Sequence, residues 1–388
     1  MGRRRSPVKQ LIAALLLAVA VPFLVDGPAA AQEVRLPVLV PLTGFVALEG
    51  TSQRNGALLA AGEIKAPAIK PDVLDTQSTP EAAVTAWQRA LSGVSSGEPP
   101  PAAVGPILGT QMLALLPLAQ ERGVPLLTIS GTARLGELGN PFFFRFFPSD
   151  ATVKVAHARY AVEKLGARRP AIIYQSTAYG QSGREQLAKT LTDLKAPPVL
   201  EESVAVTVND LSPAILRAKA ANADVLVLHL HAPSTVLAIR QARQLMPDMP
   251  IVAGSAMHQP ATAALLEPGE LKGVCAETAA SPISAATPEM RAFLEAYRAA
   301  WKSDPDAFAA SQYDAVKMLA WVSSQIVQSG GKITPAAVRD RLASETWKGV
   351  VTTYKSDGKG NMAHEAEIVC YGGATRVPQV VQRYSLRP

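Results

Sequence analysis

Aromatic residues make up only 5% of this 388-residue chain, cysteine occurs twice, and neither sign of charge dominates strongly. With few aromatics, the apolar bulk comes from Ala, Leu and Val, a mix suited to helices packed on buried strands. Nothing after Val25 is an uncharged apolar run long enough to cross a bilayer, which takes about 20 residues. Among the motifs of secreted and nucleotide-using enzymes, His-Glu-x-x-His and a phosphate-binding glycine loop are missing, and the one Gly-x-Ser-x-Gly match, Gly93 to Gly97, falls in a Ser-, Gly- and Pro-rich stretch rather than at a strand-to-helix elbow. Together these features argue against an integral membrane protein and a secreted enzyme.

What is present begins at the first residues. Arg3-Arg4-Arg5 precede the apolar stretch Leu11 to Val25, and Ala29-Ala30-Ala31 follow it. A basic start, a short apolar middle and a small-residue site are the parts of a cleaved export signal, so residues 1–31 are expected to be removed near Ala31. No cysteine stands at that site to carry a lipid. The mature product is expected in the periplasm, without stable membrane insertion, where ATP and NAD(P)H are not supplied. Removing the segment lowers the formal charge from +6 by three. The remaining charge is too small to hold nucleic acid or anionic lipid by its field.

The 357 residues that remain exceed what one core usually serves, and two lobes are expected. Strand-length apolar runs alternate with helical spacing. Val34–Val40, Ile69–Leu74, Val104 and Val124–Leu127 form a first series, and Ala171–Tyr174, Val199–Val206, Val225–Leu230 and Ile251–Ala253 a second. Such alternation predicts α/β architecture with two doubly wound parallel sheets, each covered by helices on both faces. Phe142 to Pro148 ends in a crossing between lobes. The stretch after Cys275 turns helical and is expected to return to the first lobe, before Tyr354–Gly360 and the strand Glu367–Tyr371 make a last excursion. Ser92 to Pro101 reads as a surface loop. Cys275 and Cys370 permit a disulfide in an oxidising compartment, although each also suits a buried free thiol.

Open α/β sheets bind ligands where strands end and helices begin. Thr43-Gly44 and Ser130-Gly131-Thr132 lie at such turns, offering hydroxyl and N–H donors at the positive end of a helix. His229 and His231 share a strand face, an arrangement that can ligate metal, but no nearby Asp or Cys completes a set and no metal is expected.

Several turn motifs resemble the periplasmic solute-binding proteins of the branched-chain amino-acid transporter family. They include Val40-Pro41-Leu42-Thr43-Gly44, Arg54-Asn55-Gly56-Ala57, Val104-Gly105-Pro106, Ser130-Gly131-Thr132, Pro148-Ser149-Asp150, Ala178-Tyr179-Gly180-Gln181 and Tyr313-Asp314-Ala315-Val316, all in the family's order. The resemblance implies the type I periplasmic-binding fold with a three-segment hinge, lobe 1 being 32–147 with 278–352 and lobe 2 being 148–277 with 353–388. It implies a monomeric, non-enzymatic protein without cofactor that closes on a small ligand and delivers it to an ABC-transporter permease; a sensory module for a membrane receptor shares these features.

By the same resemblance Ser130 and Thr132 hold a ligand carboxylate. The usual helper serine aligns with Gly109, with Thr110 beside it as a substitute. Tyr179 closes from the second lobe, and Phe308 stands at the side-chain end. Three positions depart from the family pattern: Ser255 replaces an acid that pairs with a ligand ammonium, His231 a tyrosine, and Glu49 an aromatic. With no charge at Ser255, the ligand is expected to be an amino acid or, equally, a carboxylate without an amine, such as an aromatic or other organic acid.

Overall fold

A computed structural model describes residues 1–2, 33–92 and 98–386 of the chain. The expected signal segment, its Ala31 processing site and part of the Ser92–Pro101 loop lie outside the described residues.

The first lobe is built on β1 (Val34–Val40), β2 (Ile69–Asp75), β3 (Ala103–Val104), β4 (Leu126–Thr128) and β5 (Phe143–Arg145), all parallel, in the order β2-β1-β3-β4-β5. Almost every residue of β1 is buried, which is why it reads as an unbroken apolar run. Helices α1 (Ala47–Glu63), α2 (Pro80–Ser92), α3 (Gly109–Arg122) and the short α4 (Arg134–Glu137) connect these strands.

The second lobe carries α5 (Asp150–Glu163), β6 (Pro170–Gln175), α6 (Ala178–Asp193), β7 (Leu200–Val204), α7 (Ser212–Ala220), β8 (Val225–His229), α8 (Ala232–Leu245), β9 (Ile251–Ala253), α9 (Pro260–Ala263) and β10 (Val274–Thr278). The chain then supplies α10 (Pro288–Trp301), α11 (Ala307–Gln328) and α12 (Pro335–Ser344), which pack with α1 on the first sheet. A hairpin of β11 (Thr346–Lys348) and β12 (Thr353–Lys355) precedes β13 (Glu365–Cys370) and β14 (Gln379–Ser385).

One expectation is corrected here. The second sheet, ordered β14-β13-β10-β9-β8-β6-β7, is not wholly parallel, because β13 runs antiparallel to β10 and β14 antiparallel to β13. Within Phe142–Pro148, residues 143–145 form the edge strand β5, and the chain leaves the first sheet after them. Cys275 and Cys370 face each other across the β10–β13 pair, with Cα atoms 4.0 Å apart, and are joined by a disulfide.

Each sheet has a separate apolar core on either face, the arrangement a doubly wound sheet requires. The chain passes between the lobes after β5 and after β10, and its last crossing comes later than the expected residue 353: Tyr354, Met362 and Ala363 are buried in the first lobe's core, and Met362 N donates to Arg145 O, so lobe 2 resumes only at β13. Helices α1 and α11 pack closely. A Cβ on Gly56 would lie 2.0 Å from the Ala309 carbonyl oxygen, so only glycine lets these helices approach this closely. Among the described residues no helix is long and apolar enough to cross a membrane.

Candidate functional site

The carboxyl ends of the two sheets enclose a cavity of about 40 Å³, counted as positions open to the centre of a water molecule. That is several times the roughly 10–15 Å³ one water needs. Most of its wall is apolar. Val46, Ile107, Ile129, Phe147 and Phe308 come from the first lobe, and Val153, Leu230 and Ala256 from the second.

Of the residues singled out in the sequence, Glu49, Gly131, Tyr179, His231, Ser255 and Phe308 line the cavity. Ser130 and Thr132 flank Gly131 without themselves lining the cavity. Both are buried, and neither hydroxyl oxygen finds a hydrogen-bond partner among the described residues. Thr43 is not brought to the cavity: it is exposed, and its hydroxyl donates to Asp75 Oδ2 at 2.8 Å. Thr110 does not line the cavity either. Gly109 supplies space and no donor side chain. A Cβ there would lie 2.0 Å from Thr132 Oγ1, so Thr132 occupies the room that a serine would need. No side chain caps the N-terminus of α3 at this point, and the positive end of that helix is open toward Thr132.

Arg145 shapes this loop from behind. Fully buried at the end of β5, it donates from Nη1 to the carbonyls of Ser130 (3.1 Å), Gly131 (3.0 Å) and Thr132 (2.7 Å), and from Nε to Asn361 Oδ1 at 3.0 Å. Burial pushes its pKa down to about 10, against the pull of Asp150, Asp357 and Glu137, so it stays charged at neutral pH. Three consecutive carbonyls are thereby drawn to one side of the loop.

The second lobe contributes groups the sequence reading missed. Glu277 on β10 lines the cavity, and its Oε1 accepts from both the amide and the hydroxyl of Ser255 at 3.2 Å. The expectation that no charge is available at Ser255 is therefore corrected: the serine is joined to a carboxylate on the neighbouring strand. Oε1 is also ion-paired with Lys154 of α5, and Oε2 lies 3.4 Å from His157 Nδ1; all three side chains are buried. Burial alone would raise the Glu277 pKa, but the Lys154 ammonium and the His157 ring hold it well below the usual carboxylate range.

Asp150 also lines the cavity, with Oδ1 3.9 Å from Lys154 Nζ. Burial pushes it up to about 7 despite that neighbour. His229 donates or accepts at Tyr179 O over 2.9 Å, beneath the Tyr179 ring at 3.8 Å between centroids. Among the described residues no three His, Cys, Asp or Glu side chains gather in a metal-holding set.

Several bonds cross between the lobes. Glu49 Oε1 accepts from Ala232 N at the start of α8 (3.0 Å), Ser182 Oγ accepts from Ala133 N (2.7 Å), and Gln259 Nε2 donates to Asp306 Oδ2 (2.8 Å). Phe45 meets the His231 ring edge-on at 5.2 Å. Such bonds describe the lobes closed on the cavity.

The second oxygen of Glu49 is buried without a partner among the described residues, and burial raises its pKa to about 7. A raised carboxyl binds its proton more tightly in the folded state, so stability falls as pH climbs from the unfolded value toward 7 and is level above it. Glu49→Gln is expected to flatten that decline and to raise stability at pH 8 by about 1–3 kcal/mol. Thermal unfolding of both proteins between pH 4.5 and 8 is the measurement; parallel curves would contradict the burial argument.

The profile of the family described as periplasmic binding protein matches residues 33–370. The chain belongs to the periplasmic binding protein family. Members of that family are binding proteins rather than enzymes. This periplasmic binding protein is 21% identical over 364 residues to the leucine-, isoleucine-, valine-, threonine- and alanine-binding protein of Pseudomonas aeruginosa, covering 91% of this chain and 93% of the relative. Its fold is that of a leucine binding protein of Thermotoga maritima (TM-score 0.80, 23% identity, 92% of this chain and 99% of that one). It is equally that of a solute binding protein of an ABC transporter from R. palustris in complex with benzoate (TM-score 0.81, 16% identity, 92% and 97%).

Proposed function

We propose that this periplasmic binding protein is the substrate-capturing component of an ABC importer, and that it closes on a small ligand with a carboxylate and an apolar body. The observation that carries the reading is the Ser130–Thr132 loop, whose Gly131 lines the cavity. Its two buried hydroxyls have no partner among the described residues, Thr132 stands against Gly109 at the uncapped start of α3, and most of the cavity wall is apolar. Helix N-termini and hydroxyl donors favour an anion, and the apolar wall favours an aliphatic or aromatic remainder. The names of the relatives agree in kind, since they include proteins for branched-chain amino acids and one holding benzoate.

In this reading residues 1–31 direct export and are removed, and the monomer diffuses in the periplasm between ligand and permease. The first lobe, 33–145 with 282–363, moves against the second, 150–278 with 365–386. The ligand biases this hinge by binding the closed form better than the open one.

A thermal-shift screen of amino acids, aromatic acids and short aliphatic acids tests the capture step. A true ligand at a hundredfold excess over its Kd adds about 2.7 kcal/mol of stability. Thr132→Ala is expected to weaken any carboxylate so found by about tenfold or more, since a hydrogen bond to a charged group contributes about 1.5–3 kcal/mol. Unchanged affinity in calorimetric titration would remove Thr132 from the site.

A further inference from the structure

Behind the part of the cavity wall formed by Asp150, Tyr179 and Glu277 the chain places an ammonium of its own. Lys154 is fully buried, its Nζ ion-paired with Glu277 Oε1, 3.9 Å from Asp150 Oδ1 and 5.6 Å from the centre of the Tyr179 ring. The oxygen it meets is the one to which Ser255 donates twice, so the carboxylate on this side of the cavity already has its counter-ion. Asp150, the other acid here, shares the same ammonium. Behind the Ser130–Thr132 loop, Arg145 adds a second buried cation. Glu49, the remaining acid of the wall, stands on the other lobe; its Oε1 is bonded to the N-terminus of α8, its Oε2 has no partner among the described residues, and burial pushes its carboxyl up to about 7.

A buried ammonium without an acid to meet it is costly, and one brought close to another ammonium is repelled as well. A ligand whose amine points at the Glu277 side of the cavity meets acids that already share an ammonium, and has that ammonium close behind them. The corresponding acid without the amine meets neither penalty, and its carboxylate still finds the hydroxyls of Ser130 and Thr132.

We propose that Lys154 supplies from within the protein the ammonium that an amino-acid ligand would bring, so that the cleft selects carboxylic acids without an α-amino group over the matching amino acids. This inference rests on the carboxylate reading of the cleft given above.

The test uses matched pairs: leucine with 4-methylpentanoate, and phenylalanine with 3-phenylpropanoate, titrated into the protein by calorimetry. In at least one pair the acid is expected to bind about tenfold or more tightly than its amino partner, a difference of about 1.4 kcal/mol. In Lys154→Met the order is expected to reverse, because Glu277 is then free to receive the ligand's amine. Should that variant unfold when empty, its thermal melt with each probe is read instead, and the amino member is expected to restore folding better than the acid. Equal binding within the pairs, or preference for the amino acid in the wild type, overturns the role of Lys154 while leaving the carboxylate site standing. A Lys154→Met protein that keeps the wild-type order also overturns it. If none of the four probes binds, the carboxylate reading falls and the inference falls with it.

Discussion

Arg145→Met is expected to abolish ligand binding and to lower the stability of the fold by about 3–5 kcal/mol, the scale at which a buried charged network fails when its central partner is removed. The methionine fills most of the volume, so the loss is one of hydrogen bonds. Carbonyls of Ser130, Gly131 and Thr132 lose their shared donor, and Asn361, which ties the edge of β5 to the returning chain, loses its own. Each buried polar group left without a partner costs about 1–3 kcal/mol. Freed carbonyls can turn, and the hydroxyls that meet the ligand turn with them. Arg145→Lys is expected to recover part of the stability, because one ammonium can serve the carbonyls but cannot span to Asn361 in a planar fork. Urea unfolding with an unchanged m-value reads the loss; a midpoint within error of the wild type would sink the argument.

Glu277→Gln is the second large effect, again about 3–5 kcal/mol, because it leaves Lys154 buried without its carboxylate. The sign with pH is specific. Glu277 has a depressed pKa in the folded state, so its contribution to stability is present above the unfolded value of about 4.3 and is lost only as pH falls through the folded one. The gap between wild type and variant should therefore stay constant from neutrality down to about pH 5 and narrow in stronger acid. This runs opposite to Glu49, whose contribution declines as pH rises. A gap that instead closes between pH 5 and 7 would show that Lys154 and Glu277 are not an ion pair in solution.

Much of the architecture was legible because parallel strands buried on both faces spell continuous apolar runs, and the turns after them carry their caps in plain view. Helix α5 was not legible. Its buried positions include Asp150, Lys154 and His157, spaced four and three apart as a helix stripe should be. The stripe is polar where an apolar one is the usual signal, so the residues that back the cavity wall also hid the helix that carries them. Glu277 was missed for a related reason. It continues the apolar run Val274-Cys275-Ala276, and its partner Lys154 lies 123 positions earlier, a pairing no local pattern can announce. The acid within that strand was the available signal. Strand β14 alternates exposed and partly buried residues at the sheet edge and left no continuous run. At the candidate site, Ser130, Thr132, Tyr179 and Ser255 stand at turns as the motif order implied, whereas Thr43 serves Asp75 and Gly109 makes way for Thr132.

The packing of α11 on α1 through Gly56 and Ala309 sets the order in which the molecule can be made. The first sheet finishes near residue 145, yet the helix that covers one of its faces is not complete until residue 328. A ribosome releases roughly 5–20 residues each second, so the nascent first lobe spends many seconds with that face bare. The sequence distance between the two helices works as a delay line: until α11 is made, the first sheet cannot bury that face.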